Sequence, residues 1–282
     1  MPELPEVETT RKGLLKAIEG DVIRDVATYT SALRFPLPDN MHERLAGCKV
    51  LHVARRAKYL LIRVSGGQEL LVHLGMSGRF QVLSKNSVKP PRQKHEHVIF
   101  RTERGYEVRF NDPRRFGFMD LMAATEVNNN KFLRDLGPEP LGNSFNGPVL
   151  AKQLYGRRTS IKSALLNQKI VAGLGNIYVC EALYHSNISP KRRAYTIKGA
   201  RAERLATSIK HVLSLAISAG GSSLRDFRHA DGGLGYFQHQ FAVYGREHEY
   251  CPRCETKNGL EGCIRRISQS GRSTFFCSQW QR

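Results

Sequence analysis

Hydrophobic periodicity changes once along this chain, and that change constrains the fold more than any other feature. Up to about residue 125 the apolar residues fall in short β-rich runs: YLLIRV (59–64), ELLVHLGM (69–76), HVIFRT (97–102) and YEVRFN (106–111). Gly or polar turns such as SGGQ and ERG close them, so they read as strands, and a two-layer β-sandwich fits them best. One helix precedes the strands. Pro5 suits its first turn, Val7, Leu14 and Ile18 keep a helical spacing, and Gly20 is a natural stop. The Gly/Pro-rich stretch RDLGPEPLGNSFNGP (134–148) reads as a linker. After it the period is helical: Leu205, Ile209, Val212, Leu213, Ala216 and Ile217 form a stripe ending at Gly220 and Gly221. That stripe is the buried face of a helix.

Charge narrows the function. Lys and Arg total 44 against 25 Asp and Glu, a net charge of +19, and an excess of this size marks a polyanion partner. No run approaches the ~18 apolar residues of a membrane span. The first twenty residues are partly acidic and lack the basic start and apolar middle of a signal peptide. A cytosolic address follows. Four of the six cysteines fall in the last 32 residues, and in a reducing compartment such crowding favours a metal over disulfides.

The first residues carry chemistry of their own. Removal of Met1 leaves Pro2 with a secondary amine. A neutral amine attacks a carbonyl-like carbon and forms an iminium. An α-amine titrates near ~7.8 and a lysine near ~10.4, so at neutral pH the former is uncharged about a few hundred-fold more often. Proline's greater basicity trims that advantage without removing it. Glu3, the next residue, can donate or accept protons. Taken alone, Pro-Glu is an ordinary helix lead-in.

Eight ordered stretches change that weighting: MPELPEVE (1–8), RRAKYLL (55–61), HLGMSG (73–78), KHEHV (94–98), NDPRRFG (111–117), LGPEPL (136–141), AGLGNIYVCEAL (172–183) and GRSTFFC (271–277). Together they make the chain resemble the bacterial formamidopyrimidine-DNA glycosylases over nearly its whole length. Leu4 matches that branch rather than the sister endonuclease VIII branch.

The resemblance implies an α+β multidomain enzyme: an N-terminal β-sandwich catalytic domain with its helix (1–133), a linker (134–148), a helix–two-turns–helix DNA-binding domain with a lesion-recognition loop (149–245), and a zinc-finger β-hairpin (246–282). The implied activity is bifunctional. Oxidised purines, 8-oxoguanine and formamidopyrimidines, are excised, and the abasic site is then cut by β,δ-elimination.

The same resemblance makes Pro2 the nucleophile at C1′ and Glu3 the proton shuttle. Glu6 either orders the site or merely complements the helix dipole. Lys58 is a hairpin-tip lysine with acid duties or a phosphate contact, roles that are compatible. Met76, Arg114 and Phe116 become the wedge that holds open the gap left by an everted base. His95, Arg114, Arg157, Lys162 and Asn176 become DNA contacts. The glycine turn of AGLGN lacks the preceding strand and third glycine of a dinucleotide site, and opens a helix at Asn176 to Tyr184 suited to phosphate. The loop from Gly220 to Gln238 matches the lesion-recognition loop, with Ser222, Ser223 and Leu224 near the base.

The tail departs from the family pattern. Cys251-x-x-Cys254 is intact, but the second pair reads Cys277-x-x-Trp280. Either Cys263 replaces the missing thiolate, giving C-x2-C-x8-C-x13-C, or the hairpin binds zinc poorly or not at all. Four thiolates make a closed structural site, and so short a segment rarely folds without one, which favours zinc on Cys251, Cys254, Cys263 and Cys277. Arg272 falls at the expected hairpin tip. A guanidinium is a poor proton donor, so it is read as positioning phosphates during the second elimination. Cys48 and Cys180 read as core residues.

The expected partner is damaged double-stranded DNA, bound by a monomer in the cytoplasm, on the nucleoid, with no small-molecule cofactor. A pyrimidine-preferring endonuclease VIII-like glycosylase and a non-catalytic zinc-containing DNA-binding protein are the competing readings.

Overall fold

Helix α1 (Leu4–Ile18) opens the chain with Pro5 in its first turn, and Leu4, Val7, Leu14, Ala17 and Ile18 form its buried face. These positions recur at helical spacing, so one side of α1 can lie against a sheet while Lys12 and Lys16 stay in water. A computed structural model describes residues 1–223, 230, 232–254 and 262–282. They fall into two units: Met1–Arg134 with Ala219–Tyr236, and Asp135–Ser218 with Phe237–Arg282.

The first unit is the expected sandwich. Its strands are β1 (Ile23–Thr28), β2 (Val50–Arg56), β3 (Tyr59–Val64), β4 (Gln68–His73), β5 (Arg79–Leu83), β6 (Glu96–Thr102), β7 (Glu107–Asn111) and β8 (Phe118–Ala123), with helix α2 (Met41–Leu45) between β1 and β2. One sheet runs β1-β6-β7-β5 and the other β2-β3-β4-β8. Between them lies an apolar core that includes Leu60, Ile62, Val72, Phe80, Val98, Val108 and Phe110, with Val7 and Leu14 of α1 joined to it. The apolar run at 69–76 does not stay extended throughout. Strand β4 stops at His73, because Gly75 takes φ +64° and turns the chain.

In the second unit, α3 (Gly147–Leu154), α4 (Ile161–Leu166), α5 (Asn176–His185) and α6 (Ala200–Ser218) pack through buried aliphatic faces. The stripe from Leu205 to Ala216 is the inner face of α6. Cys180 is in this core, whereas Cys48 of the first unit is only half-buried. The chain ends in an antiparallel hairpin, β9 (Ile264–Gln269) and β10 (Arg272–Cys277). Its tight turn has Ser270 and Gly271 at positive φ.

Candidate active site and nucleic-acid interface

The head of α1 is buried although it is a chain terminus: Pro2, Glu3 and Glu6 are all inside. Glu6 explains how. Its Oε2 accepts the Glu3 N–H at 2.9 Å, one arm of a capping box, and its Oε1 accepts the Ser222 N–H at 2.9 Å. The residue following Pro2 is thereby fixed to the segment after α6. Of the three loop residues expected near a base, Ser222 and Ser223 belong to this segment, and Leu224 lies outside the described residues.

A second anchor brings in Lys58. Strands β2 and β3 are joined by the two-residue turn Ala57-Lys58, with Ala57 at φ +53°. Glu8 of α1 holds the base of this hairpin, its Oε2 3.0 Å from Arg55 Nε, while Arg11 binds its other oxygen. Burial raises the Glu8 pKa, and the two guanidiniums outweigh it and hold the carboxyl below its ordinary range. Lys58 is buried, and its charge reaches His73, which pairs with Tyr59 across β3 and β4.

His73 was not singled out by sequence. Burial first, then the charges of Lys58 and Arg34, lower its pKa to about 4. It is therefore neutral at physiological pH, free to accept the Gly75 N–H on Nδ1 at 3.0 Å and to stack on Phe118. This bond shapes the turn that presents Met76.

The two turns expected to carry a wedge lie side by side. A Cβ on Gly75 would stand 2.3 Å from the carbonyl carbon of Phe116 and from Gly117 N. The fully buried Asp112 ties them, accepting Ser77 Oγ at 2.6 Å and Gly117 N–H at 2.7 Å. Ser77 Oγ in turn accepts the Arg114 N–H. Met76 and Phe116 remain 38% and 44% exposed, so neither is a core residue. The Arg114 guanidinium lies 4.8 Å from the Phe116 ring centre, a cation–π pair at the surface. His95 adjoins the same turn, its carbonyl accepting the Asp112 N–H.

The second unit gathers another polar cluster around Ser273 of the terminal hairpin. Asn176, the first residue of α5, donates to Ser273 O at 2.9 Å and reaches the hydroxyl of Tyr244 at 3.4 Å. The turn before it is set by Gln168, whose amide binds Gly173 N and Leu174 O. Lys162 departs from its expected place. It is completely buried and not on the surface, and its ammonium donates to Thr274 Oγ1 at 2.6 Å and Ser273 O at 3.1 Å. Burial, chiefly, lowers its pKa. It supports the hairpin from below. Arg272 at the tip and Arg157 are exposed.

Two further residues escaped the sequence reading. Glu181 is fully buried, and its carboxylate accepts the N–H groups of Ala242, Val243 and Tyr244 at 2.8–3.0 Å, so α5 holds Tyr244 next to Asn176. A buried acid in an apolar helix carries no outward signal of such a cradle.

The four tail cysteines come together in space. One sulfur from each of Cys251, Cys254, Cys263 and Cys277 lies within 4.8 Å of the others, and all four residues are buried. A tetrahedral ion with ligands ~2.3 Å away needs sulfurs about 3.8 Å apart, and Cys254 and Cys277 stand at 4.0 Å. The donors fit a metal ion. Trp280 is 41% exposed.

Comparison with known proteins places this geometry. The domain family "Formamidopyrimidine-DNA glycosylase N-terminal domain" matches residues 1–119, and "Formamidopyrimidine-DNA glycosylase H2TH domain" matches residues 136–228. Formamidopyrimidine-DNA glycosylases of Ruegeria pomeroyi and Rhodospirillum centenum are 55% and 53% identical, with all of each chain covered. A Lactococcus lactis FPG variant solved with Fapy-dG-containing DNA superposes with a TM-score of 0.88 at 32% identity over both full chains. The MutM (FPG) protein of Thermus thermophilus gives 0.85 at 37% identity, covering 99% of this chain and 98% of that one.

Proposed function

The chain belongs to the formamidopyrimidine-DNA glycosylase family and is a DNA glycosylase of base excision repair, and on that premise we propose that Pro2 is its nucleophile and oxidised purines are its substrates. The observation that carries this reading is the buried head of α1, where Glu6 fixes the Glu3 backbone and so holds the residue next to Pro2.

After loss of Met1, the neutral Pro2 amine attacks C1′ of the everted nucleotide. Glu3 protonates the ribose ring oxygen and the C1′–O4′ bond opens. The C–N bond to the base then breaks with its electrons leaving on the base, and the Pro2 lone pair closes the C1′=N⁺ iminium. The iminium acidifies the C2′ hydrogen. Its removal expels the 3′ phosphate, and a second elimination expels the 5′ phosphate. Hydrolysis returns Pro2. An amine nucleophile suits both halves of this chemistry, because an enzyme that activated water alone would stop at the abasic site. Lys58 supplies protons or charge beside the hairpin tip.

Met76, Arg114 and Phe116 fill the vacated stack and offset part of the eversion cost of a few kcal/mol. His95, Arg157 and Asn176 contact phosphates, while Arg272 positions those flanking the lesion. Lys162 acts on DNA only by holding Ser273 and Thr274. The four cysteines hold one structural zinc, which would staple a hairpin too small to fold alone. The working partner is damaged duplex DNA, bound by a monomer in the cytoplasm.

Borohydride reduction during turnover of an 8-oxoguanine duplex tests this reading. The expected result is a protein–DNA adduct whose peptide begins at Pro2. An adduct mapped to Lys58, or full activity in molecules that retain Met1, would remove Pro2 from its role. A thymine glycol duplex processed faster than the 8-oxoguanine one would instead favour the pyrimidine-preferring reading.

A further inference from the structure

Beyond the residues discussed so far, the second unit carries a groove at the C-terminal end of α3. It is lined by Lys152, Tyr155, Arg158, Arg193, Tyr195 and Lys198, and no acidic side chain lines it. Tyr155, 88% exposed, is almost fully open to water and Tyr195, at 50%, half so, beside four cations.

The backbone beneath them is well fixed. Two strands of irregular chain are laced together: Tyr195 N–H donates to Arg157 O at 3.0 Å and Ala194 N–H to Thr159 O at 2.9 Å. Arg193 and Ser160 form a β-bridge. Arg193 also donates through Nη1 to Arg158 O at 2.7 Å. The groove is thus a preformed surface in which the Arg193 guanidinium is held against the Arg158 carbonyl and the two tyrosine side chains are exposed.

We propose that this groove binds an unpaired stretch of DNA running on from the duplex. Phosphates match the cations, and unstacked bases match the tyrosine faces, a pairing of groove and aromatic platform typical of single-strand binding. Continuity supports the choice. Arg157, proposed above as a phosphate contact, adjoins Arg158, and Ser163 of α4 reaches Ser270 of the hairpin turn at 2.8 Å, two residues from Arg272. The surface therefore continues the proposed phosphate contacts of this unit. It would let the enzyme bind lesions beside single-stranded DNA more tightly than lesions in uninterrupted duplex.

Fluorescence anisotropy tests this without reference to catalysis. A blunt lesion duplex is compared with the same duplex carrying an oligothymidine tail of about six nucleotides, within the usual span of such sites, on either end. One tailed form should bind about tenfold tighter, roughly what one stacked base contributes. The Tyr155→Ala/Tyr195→Ala variant should lose that gain and keep its affinity for the blunt duplex, a built-in check on folding and on the lesion site. Equal binding of blunt and tailed duplexes overturns the proposal, as does a gain that persists in the variant. A tail of abasic spacers giving the same gain rules out stacking. A polyglutamate peptide that binds the native chain and not the variant, with no gain from any tail, assigns the groove to an acidic protein instead.

Discussion

Glu6 and Ser222 are 216 positions apart, yet the carboxylate of the first accepts the backbone N–H of the second at 2.9 Å. The other carboxylate oxygen holds Glu3. One side chain therefore sets the position of the proposed catalytic pair, Pro2 and Glu3, relative to the segment proposed to cover the base. In Glu6→Gln the amide keeps one acceptor and turns an NH2 toward one of the two N–H groups, leaving a buried donor unmet. Release of 8-oxoguanine should fall by about tenfold or more. Cleavage of a preformed abasic site, which has no base to cover, should stay within about threefold. Equal loss of both activities would reduce Glu6 to a helix cap.

The metal site makes its own prediction. Cys263→Ser removes a ligand from a buried set of four, and bound zinc should fall from about one per chain to near none, with weaker DNA binding. Adding Trp280→Cys to that variant restores two Cys-x-x-Cys pairs. The chain there is already fixed, with Gln281 Oε1 accepting the Cys277 N–H at 2.7 Å and the Gln281 N–H bonded to Cys277 O. Metal content measured by plasma mass spectrometry should recover in the double variant. Full zinc in Cys263→Ser alone would exclude Cys263 as a ligand.

Lys162 should matter for structure before chemistry. Truncation to Ala removes two hydrogen bonds from a buried ammonium and leaves Thr274 Oγ1 short of a donor. A loss of about 2–3 kcal/mol in denaturant unfolding is expected. Lys162→Met, which fills the volume but cannot donate, should weaken lesion-duplex binding without lowering the slope of affinity against salt. A reduced slope would mean that Lys162 meets a phosphate directly.

Acid should loosen the Met76 turn. The His73 pKa falls from 6.5 to about 4 on folding, so between those values the unfolded chain binds the extra proton. Stability contributed by neutral His73 is full above pH 6.5 and is lost as pH falls toward 4, at up to about 1.4 kcal/mol per unit. Chemical denaturation across that window should show the loss, and His73→Asn should flatten it. An unchanged acid limb in the variant would place the titration elsewhere.

The run at 59–64 was legible as a strand because its burial alternates along the pleat, and that at 97–102 because a short β-rich apolar run is bounded by polar turn residues. Strands β1 and β2 were not: register shifts at Ile23/Asp25 and Val50/His52 break the alternation, and Leu51 points outward. β8 is apolar on successive residues and so lacks the period of a half-buried strand. The exposure of Met76 and Phe116 was suggested by their Gly-flanked turns, whereas their wedge role was read from the resemblance and is a proposal. Lys162 was expected as a DNA contact from the resemblance alone, and only the fold reveals the carbonyl and hydroxyl that receive its ammonium. Tyr244 and Glu181 went unseen for the same reason, since they meet each other, and Tyr244 meets Asn176, only across more than 60 residues of sequence.

Gly75 touching the chain at Phe116 and Gly117 has a mechanical meaning. The spacing of the two prongs is the thickness of bare main chain, with no rotamer between them to adjust. Evolution can repack the sandwich behind this fork without altering its gauge, whereas a single methyl at position 75 would push the main chain at Phe116 and Gly117 aside and spread the two turns proposed to part stacked bases.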